Sequence, residues 1–141
     1  MKQYRVYRAN GSKTGSALSL DFNLEKQSAF LEFAKQKQDD TFDWQNKLSF
    51  KLSVTELSKI IVFYKNKTES VKFFHDPSKG KYTSTFKNAI LNLTKVGNNY
   101  VFKLNQQESN GSLNSMQLSI SEEEMYVMLV LFEKAIEKIY F

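Results

Sequence analysis

Cysteine is absent from this 141-residue chain, which removes disulfides, thiol catalysis and thiolate-held metals. Histidine occurs once, as His75, too few for a His pair or a His-rich metal centre. His75 stands beside Asp76, but neighbours on a strand point to opposite faces, so it reads as a histidine at the start of a turn. There is no Gly-rich phosphate loop and no nucleophile elbow. We therefore expect no enzyme, no catalytic residue, no metal and no cofactor. The longest apolar run, Met125 to Phe132, is too short to span a bilayer, and no membrane partner is expected. Polar residues follow Met1, so no signal peptide is expected. The Lys, Asn, Ile and Phe usage suggests an AT-rich genome and a cytoplasmic protein of a bacterium, or of a phage in its host. Proline occurs once and glycine five times.

What is present is a duplication. LSFKLSVTELSKIIVFY, Leu48 to Tyr64, is echoed by MQLSISEEEMYVMLVLF, Met116 to Phe132. Leu52-Ser53-Val54-Thr55-Glu56 lies over Leu118-Ser119-Ile120-Ser121-Glu122 without a gap. In each copy a strand alternates, with Leu48, Phe50, Leu52 and Val54, or Met116, Leu118 and Ile120, on one face. Ser53 to Glu56 and Ser121 to Glu124 then read as capping boxes that start helices. Upstream, Ser16 to Asp21 matches Ala89 to Thr94, and Ala29 to Gln36 matches Tyr100 to Gln107. The order is strand-strand-strand-strand-helix, twice.

The remaining boundaries follow from alternation and turn chemistry. Strands are predicted over Lys2–Ala9, Ser16–Phe22, Ser28–Gln36, Leu48–Ser53, Ser70–His75, Phe86–Lys95 and Tyr100–Gln107, with a last one from Met116. Helices are predicted over Thr55–Lys65 and Ser121–Phe141. Val96-Gly97-Asn98-Asn99 is a hairpin signal. The chain is read as one α+β domain over residues 1–141, with halves of about 2–67 and 70–141.

Charge is unevenly placed. The net is +5, yet the 120 residues before the last helix carry 18 basic against 10 acidic side chains. A basic strand-and-loop body suits a sheet that faces a polyanion. Eighteen of the basic residues are Lys and two are Arg. Lys contacts phosphate as a point charge and reads bases poorly, which favours sequence-tolerant binding.

Both helices carry more apolar surface than one sheet can cover. Phe63, Tyr126, Val127, Val130 and Leu131 are the expected contacts of a homo-oligomer, dimer or tetramer, packed through its helices.

In its duplicated strand-strand-strand-strand-helix order the chain resembles the Whirly proteins. A single such unit, paired as a dimer, resembles positive cofactor 4. Lys13-Thr14-Gly15-Ser16-Ala17-Leu18 shares the leading Lys and the Ala-Leu ending of the Lys-Gly-Lys-Ala-Ala-Leu element of plant Whirly proteins. The match is too partial to carry over that element's role in higher assembly. The kinetoplastid guide-RNA-binding proteins share the plan. The resemblance implies antiparallel sheets packed around two central helices, and binding of single-stranded nucleic acid across exposed sheets, with little sequence preference, in transcription, replication or recombination. DNA is the expected partner. An RNA-binding or annealing protein is the first alternative, and a structural or adaptor protein the second.

The candidate contacts follow. If the helices cover the face bearing Leu18, Leu31, Phe50 and Leu91, the opposite face exposes Ser19, Glu32, Ser49 and Lys51, and Lys103, Asn105 and Gln117. Lys51 and Lys103 are the preferred phosphate or base-edge contacts, with Arg5 and Lys72 on flanking strands. Lys13, Lys79 and Lys81 would hold the backbone at the rim. Tyr7, Phe30, Phe74 and Tyr82 lie off the core parity and Trp44 sits in a loop, as candidates for base stacking.

Overall fold

The computed structural model describes residues 2–76 and 86–141. Strands β1 (Tyr4–Arg8), β2 (Ser16–Asn23), β3 (Ser28–Lys35) and β4 (Leu48–Leu52) lead into helix α1 (Val54–Lys65). Strands β5 (Ser70–His75), β6 (Phe86–Val96), β7 (Asn99–Glu108) and β8 (Leu113–Ser121) lead into α2 (Glu122–Ile139). Each half makes one four-stranded antiparallel sheet in sequence order. The tight β6–β7 turn needs glycine, since Gly97 sits at φ +60° where side chains are disfavoured.

Alternation decides which face is buried. Val6, Leu18, Leu31, Phe33, Phe50 and Leu52 line the inner face of the first sheet, and Phe73, Leu91, Leu93, Phe102, Leu104 and Ile120 that of the second. The helices complete the same cluster through Leu57, Ile60 and Phe63, and through Met125, Met128, Leu129 and Phe132. Spacings of three and four place each set on one helical stripe.

Both capping boxes form. The Glu56 N–H donates to Ser53 Oγ at 3.3 Å and the Ser53 N–H to Glu56 Oε1 at 3.0 Å. Glu124 and Ser121 repeat the exchange at 3.1 and 2.8 Å. The two caps lie 68 residues apart, so the gapless match of Leu52–Glu56 to Leu118–Glu122, an offset of 66, is two residues out of register. Leu52 corresponds to Ile120, since each pairs with the residue at the matching place on its neighbouring strand, Ala29 and Tyr100. The slip left Leu52 on its correct strand face because strand periodicity is two, but Val54, expected on that face, is already the first helical residue. The other predicted matches hold: Ser16 pairs with Lys35 and Ala89 with Gln106, as the two offsets require.

Strand β8 begins at Leu113 rather than Met116, because Leu113 to Ser115 extend the ladder against Asn105 to Gln107. Helix α1 begins at Val54, one residue early, because Ser53 is its cap.

Each capping glutamate is also held by a side chain from the other half. His75 Nε2, at the end of β5, lies 2.7 Å from Glu56 Oε2, and its ring stacks on Phe50 with centroids 3.9 Å apart. Arg8, at the end of β1, pairs with Glu124 and donates from Nε to the Ser119 carbonyl at 2.9 Å. Arg8 and His75 are equivalent positions, pairing with Ser16 and Ala89. Burial opposes the charge of both glutamates, but their hydrogen bonds and the neighbouring His75 and Arg8 outweigh it and hold both carboxyls below the usual value. His75 therefore serves a helix start.

Candidate nucleic-acid interface

The duplication makes the two outer faces directly comparable. In the first sheet one row crosses the strands as Arg5, Ser19, Glu32 and Ser49. The equivalent row of the second sheet is Lys72, Asn92, Lys103 and Gln117. Glu32 thus stands where Lys103 stands. Likewise Tyr7 corresponds to Phe74, Ala17 to Ile90 and Ala34 to Asn105 by the same registers.

The first face is occupied by its own chain. The β3–β4 connection runs over residues 36–47, whereas β7 and β8 are joined by residues 109–112 alone. The longer strap carries Phe42 and a turn of 3-10 helix, Trp44–Asn46. The Arg5 guanidinium lies 4.1 Å from the Trp44 ring centroid, and Tyr7 and Phe42 pack with centroids 5.4 Å apart. Glu32 pairs with Lys47, and Arg5 Nε donates to Ser19 Oγ at 3.4 Å. Ser19 and Glu32, expected to be exposed, are buried at 0% and 8% exposure. Alternation names the face a residue takes but not a distant loop that folds over it. Phe30 remains half-buried with Lys26 5.6 Å from its ring centroid, and Lys51 is exposed beside it.

Among the described residues nothing folds over the second face. Three of its rows are Lys72–Asn92–Lys103–Gln117, Phe74–Ile90–Asn105–Ser115 and Ser70–Thr94–Val101–Ser119. None of these twelve positions is buried and none carries a carboxylate. Phe74 is 57% exposed. Lys72 and Lys103 sit two strands apart, roughly 9.5 Å from the inter-strand spacing, with Phe74, Ile90 and Val101 in the flanking rows. Sequence reasoning missed Ile90 and Val101; their off-parity position opposite Leu91 and Phe102 was the signal that could have found them.

Lys13 is engaged at the rim, in an ion pair with Asp40. A buried glutamine fixes that loop: Gln36 Oε1 accepts from Asn10 N at 2.9 Å and Gly15 N at 3.1 Å. Gln36 Nε2 donates to Asn10 O at 3.1 Å and Asp40 Oδ1 at 2.8 Å. A Cβ on Gly15 would lie 2.1 Å from the Arg8 carbonyl oxygen, so only glycine fits. Lys79, Lys81 and Tyr82 lie outside the described residues.

On the helices, Tyr126, Val127 and Val130 are exposed, joined by Val62 of α1 at 54%. Phe63, expected at an oligomer interface, belongs to the core instead: it is 3% exposed and stacks edge-on to Tyr100 at 5.9 Å. Spacing from Leu57 and Ile60 puts it on the core stripe. Leu131 is half-buried against the core. Among the described residues no group of His, Asp or Glu side chains is arranged to hold a metal, and no helix is long and apolar enough to cross a membrane.

Comparison with known proteins adds an independent line. Residues 13–131 match the family described as Whirly transcription factor. The chain belongs to the Whirly family. It is 27% identical over 141 aligned residues to Single-stranded DNA-binding protein WHY1, chloroplastic, of Solanum tuberosum, covering 92% of this chain and 51% of that protein. The chain thus spans about half the length, or less, of the curated relatives it matches. The solved structure of the plant transcriptional regulator PBF-2 superposes with a TM-score of 0.80 at 22% identity, over 99% of this Whirly chain and 90% of that one. A guide-RNA-binding protein complex bound to its RNA superposes at 0.68 and 12% identity, over 96% and 89%. Both likenesses are of fold. The expectation of a bacterial or phage cytoplasm is overturned, because the curated relatives are chloroplastic proteins of plants.

Proposed function

We propose that this Whirly protein binds single-stranded DNA with little sequence preference, using the second sheet as its main platform. The open, carboxylate-free face carrying Lys72, Lys103, Phe74, Ile90 and Val101 is the observation that carries this reading. Lysines two strands apart follow a phosphate backbone, and apolar side chains between them receive base faces, each worth about 1–3 kcal/mol where an aromatic stacks. The names of the curated relatives, single-stranded DNA-binding proteins, support the same partner. The family description supports a setting in transcription. Arg5, Tyr7, Phe30, Trp44 and Lys51 flank the track on the first sheet, where the chain's own strap limits access. Tyr126, Val127, Val130 and Val62 form the contact of a homo-oligomer, dimer or tetramer.

The RNA reading is favoured by one fold neighbour, the protein complex bound to a guide RNA. Fluorescence anisotropy with a labelled dT oligomer at two salt concentrations, with duplex and RNA competitors, separates these. Salt-sensitive binding that duplex fails to displace supports the proposal. Stronger competition by matched RNA moves the partner to RNA, and no binding at low salt rejects nucleic acid altogether.

A further inference from the structure

Two glutamines are buried to the same degree, Gln36 and Gln106, each 7% exposed. Gln36 is fully bonded within the rim loop. Gln106 Oε1 has no hydrogen-bond partner among the described residues, and a shielded acceptor without a donor is costly to keep. Its equivalent in the first half is Lys35, from the strand registers, and both line one cleft. That cleft, of about 510 Å³, opens between the ends of the two sheets and lies within the usual size of small-ligand sites, about 300–1,000 Å³. Lys35, Gln45, Asn46 and Leu48 form one wall, and Gln106, Asn114 and Met116 the other.

The chemistry of the lining narrows the occupant. Lys35 and Lys47 balance Asp43 and Glu108, so the cleft has no excess charge to draw in a phosphate. Asp43 Oδ2 already accepts from Asn46 Nδ2 at 2.9 Å, Glu108 Oε1 accepts from Asn114 Nδ2 at 2.8 Å, and Lys47 is paired with Glu32. What remain are the amides of Gln106 and Gln45 and the Lys35 ammonium, with Leu48 and Met116 as the apolar part of the lining. This suits a flat, neutral ligand with adjacent hydrogen-bond donors and acceptors.

We propose that the cleft takes one nucleobase of the bound strand, with its hydrogen-bonding edge read by the Gln106 amide; this rests on the single-strand reading above. Oε1 is shielded, so the amide presents one polar atom to the cleft at a time, and each base edge offers both a donor and an acceptor for it to meet. A half-turn about the last, soft torsion of Gln106 exchanges Oε1 and Nε2, so the atom presented is either acceptor or donor. Such a contact tolerates sequence and excludes duplex, whose base edges are already paired.

The test uses the full chain with two labelled oligomers of equal length, one of thymidine and one of N3-methylthymidine. The methylated strand keeps phosphate, sugar and ring face but has no N3–H donor. The wild type is expected to bind the thymidine oligomer about fivefold more tightly, the effect of one net hydrogen bond. Gln106→Leu is expected to bind both equally, and Gln106→Met does the same should the leucine variant fail to fold. Equal binding of the two oligomers by the wild type overturns the proposal, as does a preference that survives both substitutions. Failure to bind either oligomer at low salt overturns the single-strand reading itself, and this proposal with it.

Discussion

Glu32 and Lys103 occupy one position in two copies of the same sheet, and the charge reverses between them. Beneath the strap, Glu32 is buried and paired; on the open face, Lys103 has no carboxylate in its row. Replacing Lys72 or Lys103 by Gln should flatten the dependence of affinity on salt, by about 0.7 in the logarithmic slope for each phosphate no longer neutralised. Titrations at several ionic strengths read this directly. Trp44 is the sole tryptophan and lies against Arg5, so its emission should change little as a strand fills the second sheet. Strong quenching would instead place the track over the first. Gln106 makes a prediction of opposite sign for stability. Gln106→Leu removes a buried, unpartnered acceptor, and the thermal midpoint should rise by an amount worth about 1 kcal/mol, even as discrimination between the two oligomers disappears.

Among the elements, the strands and helices were legible because each carries its own period. Alternation placed Leu18, Leu31, Phe50 and Leu91 inside, and Ser/Glu spacing placed both caps. The strap was not legible. Residues 36–47 have the composition of a polar loop, and its packing on Arg5, Tyr7 and Glu32 consists of long-range pairings that no local pattern encodes. The rim loop was hidden for the same reason, since Gln36 bonds residues more than twenty positions away. Gly15→Ala should destabilise the fold by about 1–3 kcal/mol through overpacking on the Arg8 carbonyl, measured by denaturant midpoint. The caps predict an acid response. Glu56 and Glu124 have folded pKa values held below the ordinary glutamate value of 4.5. Their contribution is therefore complete above about that pH and drains away as pH falls through the lowered values. A thermal midpoint followed from about pH 6 to about pH 3 should drop, and Glu124→Gln should make the drop shallower.

At the scale of the whole molecule, two kinds of surface compete for cover. The outer face of the second sheet is open and basic. The helices expose Val62, Tyr126, Val127 and Val130, a patch of the sort that marks association. Tyr126→Glu with Val130→Asp should shift the sedimentation profile to a smaller species without altering the helical circular dichroism signal; an unchanged profile would reject a contact through this patch. Inside the chain, the contacts of Glu124 with Arg8 and of Glu56 with His75 have a consequence of their own. Arg8 grips the cap of the other half, and His75, at the matching position, grips the first. In such an exchange residue i meets j while j meets i, the pattern of a two-fold contact between identical subunits. One polypeptide thus keeps the bonding logic of a pair, and the segment from Asn66 to Glu69 that joins its halves acts as a tether. Severing that tether should leave two fragments that refold only when mixed, each completing the other's helix start.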